Sequence, residues 1–379
     1  MKIQPSLVFG MTGAYGLCGG IATANKNILH ALVRLAERRS FALHVISLLE
    51  QDSDRPAVLP PQVEFRGCRG DKLAFSLALL RLAASRPTMC FDHVTLALPV
   101  LPLAATGLVR TIVFGHGSEV GRRMKRFSRW SLRTANKVFT NSSFTLRNVR
   151  RYVNHFDGEA CPLGLSPEFS LNAALPEAAG ESLQLEAADG QLRTLTDQVL
   201  LLVARMDSSE GQKGHAELVS ALAGIHTDFP RAQVVFPGPG DGRAALADLA
   251  QREGVADAVF LPGHVPLATL QALYRDCYAF VMPSRQEGFG LVYLEAMNYG
   301  KPCVGCYDDG AEEVIVPGET GWLVRDPANQ TELQDVLRSL LADPAEAKSR
   351  GSKGFRRLHD RFTSQHHQQR VIACLESVL

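Results

Sequence analysis

Short apolar runs alternate with segments of helical period along this chain, and the alternation occurs twice. In the first half the runs at 7–9, 43–49, 94–98, 111–114 and 137–140 read as strands, with helical patterns at 21–37 and 73–84. In the second half the runs at 199–204, 233–236, 259–261, 279–282 and 302–305 alternate with helical patterns at 216–225, 243–252, 267–276 and 291–299. Runs that are apolar throughout mark strands buried on both faces, so each half predicts an α/β domain with a parallel sheet. Between them, 165–197 mixes Pro, Gly and acidic residues without sustained periodicity and reads as a linker leading into the second sheet. Past Pro344 the chain reads as helices, and the last one carries an apolar face at Val371, Ile372, Leu375 and Val378 that must dock on something. The expected division is 1–165, 166–360 and a terminal helix over 361–379.

A length of 379 residues agrees with two domains of roughly 150–200 residues each. Forty Lys+Arg against thirty-nine Asp+Glu argue against a globally basic nucleic-acid binder, so no nucleic-acid partner is expected. The opening MKIQPSLVFG lacks the pattern of a secretory signal, and the apolar run from Leu96 to Val109 falls short of the roughly 18–20 residues of a membrane span. A cytoplasmic protein is expected. Eight scattered cysteines show neither a disulfide framework nor a zinc pattern, and the single pair Cys303 and Cys306 reads as buried strand residues.

Chemistry concentrates in Pro283-Ser-Arg-Gln-Glu287-Gly288-Phe289-Gly290-Leu291-Val-Tyr-Leu-Glu295-Ala-Met. A strand ends, a glycine-bearing turn follows and a helix opens at Leu291, which leaves main-chain N–H groups for an anion at the positive end of the helix. Glu287 and Glu295 bracket that turn. An ionised carboxylate only accepts hydrogen bonds, so the pair suits sugar or ribose hydroxyls rather than phosphate. Either Glu alone would read as a helix cap or an ordinary helix residue. The string as a whole, followed by Gly300-Lys-Pro and by Glu313-Val-Ile-Val-Pro-Gly-Glu-Thr-Gly-Trp-Leu-Val, resembles the retaining glycosyltransferases of family four, clearest from 199 to 324.

That resemblance implies a GT-B fold, two Rossmann-like domains facing across a cleft, with the terminal helix returning to the first. It also implies transfer of a sugar from a nucleotide diphosphate sugar, with retention of configuration and without metal or cofactor. The expected catalytic residues are Glu287, His116, Arg205 and Lys213. Arg205 and Lys213, in Leu200-Leu-Val-Ala-Arg205 through Lys213-Gly-His, follow a strand and can hold a diphosphate at a sheet's carboxyl edge. The resemblance gives Glu287 the transferred sugar and Glu295 the ribose, and Gly288, Phe289, Gly290 and Leu291 line the donor. Val265, in Gly263-His-Val-Pro, is expected near the base.

The glycine-rich Gly13-Ala-Tyr-Gly16-Leu-Cys-Gly19-Gly20 departs from the spacing of a dinucleotide fingerprint, which argues against hydride transfer. The resemblance places Gly19 and Gly20 against the donor phosphates and the acceptor entrance, and His116 at the donor sugar. Glu119 is a weaker acceptor-side candidate. Ten Lys/Arg and no acid lie between Val120 and Phe156, running from Arg122 and Arg123 to Arg151. Arg126, Arg129, Trp130 and Arg133 share helical spacing there, so a basic face could meet anionic lipid at the inner membrane surface, or be solvated with acidic partners elsewhere in the fold.

The expected acceptor is a hydroxyl of a glycan, a lipid-linked or a small molecule, with a UDP-sugar or GDP-mannose as donor. Two other readings compete: a sugar-nucleotide epimerase of the same fold, which needs no acceptor, and a non-catalytic protein that binds nucleotide sugar or glycan.

Overall fold

The computed structural model describes residues 6–15, 17, 19–120, 124–177, 183–208 and 213–379. Gly16, Cys18, Arg122 and Arg123, named above, lie outside the described residues. The chain divides into two compact units, Met1–Phe169 with Phe362–Leu379, and Ser170–Arg361.

The first unit holds seven strands, β1 (Ser6–Met11), β2 (Ala42–Ser47), β3 (Glu64–Gly67), β4 (Thr88–Phe91), β5 (Arg110–Gly115), β6 (Lys137–Thr140) and β7 (Gly158–Ala160). They pair in parallel in the order β3-β2-β1-β4-β5-β6-β7. Successive side chains of a strand point to opposite faces, and the core divides accordingly. Val8, Met89, Val113 and Val138 enter one apolar cluster, whereas Leu7, Phe9, Cys90, Ile112 and Phe139 enter another. The second cluster also takes Ile28, Leu32 and Leu35 of the helix Gly20–Arg39 and Val371, Ile372 and Leu375 of the terminal helix Ser364–Glu376. The apolar face at the end of the chain thus completes the core of the first unit. Burying each such side chain contributes about 1.5–3 kcal/mol.

The second unit opens with an antiparallel hairpin, β8 (Gln184–Glu186) and β9 (Leu192–Thr194). Six parallel strands follow: β10 (Gln198–Leu201), β11 (Ala232–Pro237), β12 (Val259–Gly263), β13 (Ala279–Val281), β14 (Cys303–Cys306) and β15 (Gly321–Val324). Their order is β12-β11-β10-β13-β14-β15. Strand order reverses between β10 and β13 here, and between β1 and β4 in the first unit. Open α/β sheets bind ligands outside the carboxyl ends of the strands at such a reversal. Cys303 and Cys306 lie on β14, fully buried.

Three features differ from the sequence reading. The run at 94–98 is not a strand: Leu96, Leu98 and Val100 each donate their N–H to the carbonyl three residues back, and Pro99 lies in the following 3-10 turn. The strand is Thr88–Phe91, and the later run is apolar because Val94 and Ala97 are buried beneath that turn. The segment at 165–197 contains the hairpin β8–β9, whose strands are half exposed and so lack an apolar signature. The edge strands β3, β7 and β15 were not expected as strands; β3 alternates exposed and half-buried positions.

Candidate functional site

The loops that follow β10 and β13, the two strands at the reversal of the second sheet, deliver Lys213 and Glu287 to one point. Lys213 Nζ donates to Glu287 Oε2 at 2.6 Å, with the two side chains 26% and 20% exposed. Gly214 makes this approach possible. It caps the helix His215–Ile225 at φ 87°, and a Cβ there would sit 2.6 Å from both the ring and the carbonyl oxygen of Pro283. A side chain on residue 214 would push the Lys213 loop off the turn that carries Glu287.

The turn itself is strained at Gln286, a non-glycine residue at φ 75°. Such backbone costs of the order of 1–3 kcal/mol and persists where neighbouring structure enforces it. Phe289 is buried behind the turn, and the helix Leu291–Asn298 starts from Gly290 with no side-chain cap. The first N–H groups of a helix have no acceptor within the helix and carry its positive end, so this terminus favours an anion. Ahead of that terminus, Glu287 N donates to Asp309 Oδ2 at 2.9 Å.

Glu295 stands in the same helix, half-buried, and Tyr274 Oη donates to its Oε2 at 2.8 Å. Tyr274 is fully buried and stacks on Tyr299, so its hydroxyl fixes the carboxylate from behind. Burial and then the Glu295 charge raise the Tyr274 phenol well above its ordinary pKa, which keeps it a donor. Arg205 follows β10, largely exposed, and pairs with Asp207 at 3.3 Å. Val265 is half-buried just past β12. Lys213 and Glu287 are therefore in direct contact, Gly288, Phe289, Gly290, Leu291 and Glu295 continue from the same turn, Arg205 follows the same strand as Lys213, and Val265 follows β12, two strands along the sheet from β10.

Sequence reasoning missed Asp309, Tyr274 and His215. His215 is buried next to Lys213 with its ring edge-on to Phe236, and burial followed by the Lys213 charge lowers its pKa to about 4. Asp309, in the loop after β14, is 1% exposed, and burial followed by the Glu287 charge pushes its pKa up to about 8. An acidic residue followed by Gly310 and placed after an apolar strand was the available signal.

In the first unit the glycine-rich loop after β1 is anchored by two buried acids that sequence reasoning also missed. Thr12 N and Asn25 Nδ2 donate to Asp92, the latter at 2.6 Å, and Ala14 N and Tyr15 N donate to Glu50 Oε1 at 2.9 and 2.7 Å. Gly19 and Gly20 are exposed where the helix Gly20–Arg39 begins. His116 follows β5; its carbonyl accepts from Asn141 Nδ2 at 2.6 Å and its N–H donates to the Glu119 carboxylate. Glu119 thus holds the His116 main chain. Both His116 ring nitrogens are buried, and burial lowers the pKa of the ring against the opposing Glu119 and Asp92 charges. A neutral imidazole, with one donor and one acceptor, results.

The basic stretch forms the helix Arg126–Thr134, which buries Ser128, Ser131 and Leu132 and exposes Phe127 and Trp130 at 49% and 42%. The Arg126 guanidinium lies over the Phe127 ring at 4.8 Å. Farther on, Lys137 pairs with Asp157 at 3.0 Å, one case of a basic residue whose acidic partner lies elsewhere in the fold. No helix among the described residues is long and apolar enough to cross a membrane.

Comparison with known proteins gives a family match over much of the second unit. Residues 186–357 match the family described as Glycosyl transferases group 1. A GDP-mannose-dependent alpha-(1-6)-phosphatidylinositol monomannoside mannosyltransferase of Mycolicibacterium smegmatis is 29% identical over 262 residues, which cover 67% of this chain and 66% of that protein. The aligned part therefore spans slightly less than two thirds of that relative. Among solved structures, sucrose-phosphate synthase from Thermosynechococcus elongatus superposes with a TM-score of 0.77 at 20% identity, covering 99% of both chains. Anabaena HepE, solved in complex with UDP-glucose, gives 0.73 at 17% identity, covering 98% of this chain and 100% of its own. The fold is GT-B, and residues 186–357, within the second unit, match the group 1 glycosyl transferases.

Proposed function

We propose that this protein is a retaining, metal-independent glycosyltransferase that takes a sugar from a nucleotide diphosphate sugar and transfers it to a hydroxyl. The observation that carries the reading is the Lys213–Glu287 contact at the strand reversal of the second sheet, beside an uncapped helix terminus. A cation with a positive helix end suits a diphosphate, and a carboxylate at the same point suits sugar hydroxyls.

In this reading Lys213, Arg205 and the turn at Gly288–Gly290 stabilise the charge that develops on the departing diphosphate, the term that usually dominates catalysis. Glu287 holds the transferred sugar and Glu295 the ribose. An oxygen of the donor phosphate takes the acceptor proton during front-side attack, so no protein nucleophile is invoked. A covalent role for Glu287 would call for a second acid carboxylate about 5–5.5 Å away, as in retaining glycosidases. For the first unit, the family resemblance alone gives Gly19, Gly20 and His116 a donor role.

UDP-sugars and GDP-mannose are both candidate donors, since the mannosyltransferase relative uses GDP-mannose and HepE was solved with UDP-glucose. The phosphatidylinositol mannoside in that relative's name favours a lipid-linked acceptor reached at the inner membrane face, with glycans next in line. A thermal-shift panel of UDP, GDP, ADP and dTDP tests the donor site directly. A ligand at 100 times its Kd adds roughly 2.7 kcal/mol of stability. We expect UDP or GDP to stabilise the protein without added metal and in the presence of EDTA; no shift with any of the four would end this reading.

A further inference from the structure

Asp309 lies outside the motif that points to the donor, yet its side chain is bonded to that motif. Its Oδ2 accepts from Glu287 N at 2.9 Å and its Oδ1 from Ala311 N at 3.1 Å. The next residue closes the clamp, with Gly310 N donating to Glu287 O at 2.8 Å. Consecutive residues of the loop after β14 thus hold the N–H and the carbonyl of Glu287. The loops touch through their main chains, since a Cβ on Gly310 would lie 2.5 Å from Gly288 C and Phe289 N.

A buried carboxyl is a costly way to hold a turn unless it is hydrogen-bonded, and this one meets a second carboxylate. The ionisable groups facing it are Glu287 and Lys213, with Tyr293 on the helix behind the turn and Cys306 on β14. Its pKa, pushed up to about 8, means that near neutrality Asp309 carries a proton beside the Lys213–Glu287 contact.

We propose that Asp309 is a positioning residue of the donor site, fixing the Glu287 peptide so that the Glu287 carboxylate meets the sugar of the nucleotide sugar. This rests on the donor-site reading above. As pH rises through about 8, ionisation of Asp309 places a second negative charge beside Glu287, and an anionic donor binds more weakly.

Calorimetric titration with UDP, GDP, UDP-glucose and GDP-mannose separates the two claims. If none of the four binds the unaltered protein, the donor-site reading fails, and this inference falls with it. With whichever nucleotide sugar binds, Asp309→Ala should weaken affinity about tenfold, while adding it to Glu287→Gln should cost about twofold or less, because Asp309 acts through Glu287. Asp309→Asn, which cannot ionise and whose one oxygen can still accept from Glu287 N while its NH2 gives up the Ala311 bond, should bind more tightly than Asp309→Ala at pH 7 and lose the decline in affinity above about pH 8. A full additional loss in the double variant overturns the proposal. An alkaline decline unchanged in Asp309→Asn overturns it also, and this second measurement decides the matter if Asp309→Ala does not fold.

Discussion

Lys213 Nζ and Glu287 Oε2 lie 2.6 Å apart although 74 positions separate the residues along the chain. Two loops at the strand reversal converge there, each ending a βα turn, and Gly214 lets them close on Pro283. The pair puts a cation and an acceptor within reach of one small molecule, which is the requirement for a ligand anionic at one end and hydroxylated at the other. Neither charge lies deep enough for the pair to act mainly as a structural strut. At 26% and 20% exposure the two side chains are still open enough to meet a small ligand.

Replacement of Lys213 tests that distinction. Loss of a charge-assisted hydrogen bond of about 1.5–3 kcal/mol predicts that Lys213→Ala lowers kcat/KM by roughly 10–100-fold. The melting temperature should stay nearly unchanged. Steady-state kinetics together with a thermal melt decide the matter: a large fall in melting temperature with a small fall in kcat/KM would assign the pair a structural role.

His215, beside that pair, makes a separate prediction about acid. Its pKa falls to about 4 in the folded protein from 6.5 for the free side chain. Between those values the unfolded chain binds more protons than the folded one, so stability is complete above about pH 6.5 and drains away as pH falls towards 4. The span corresponds to about 3 kcal/mol at most. His215→Leu, which keeps an apolar partner for Phe236, should flatten the decline of stability between those pH values. Chemical denaturation as a function of pH reads it, and an unchanged slope would remove His215 as the source.

The sequence made the sheets and the Glu287 turn legible for one physical reason, and hid the rest for another. Strands such as Val259–Gly263 and helices such as Leu267–Asp276 carry period and burial in local residue order. The glycines and acids of the Glu287 turn carry their chemistry in the same way. Asp309, Tyr274 and Asp92 matter through bonds to residues 22, 21 and 67 or more positions away, and nothing in their immediate neighbours announces those partners. The run at 94–98 misled because apolar composition reports burial, and a buried turn is as apolar as a buried strand. The hairpin β8–β9 was missed for the converse reason, since Leu192 is 67% exposed and its strands bury almost nothing. Its Asp189-Gly190 turn, with Gly190 at φ 82°, was the usable signal.

The helix Arg126–Thr134 inverts the usual arrangement, with serines buried and aromatic side chains exposed, and this predicts binding to anionic lipid surfaces. Phe127 and Trp130 are held outward beside the exposed Arg126 and Arg133. At a membrane, each aromatic buried in the headgroup region contributes about 1.5–3 kcal/mol and each nearby basic residue about 1 kcal/mol. Lys137 is already engaged by Asp157 and is left out of that sum. Cosedimentation with phosphatidylserine-containing vesicles should therefore exceed that with phosphatidylcholine alone and weaken as salt rises, because the basic contribution is screened. Phe127→Ser with Trp130→Ser should cut binding about tenfold or more while preserving the response to UDP or GDP, since both side chains point away from the core of the first unit. Equal binding to the two kinds of vesicle, or to neither, would leave the exposed aromatics without a lipid role.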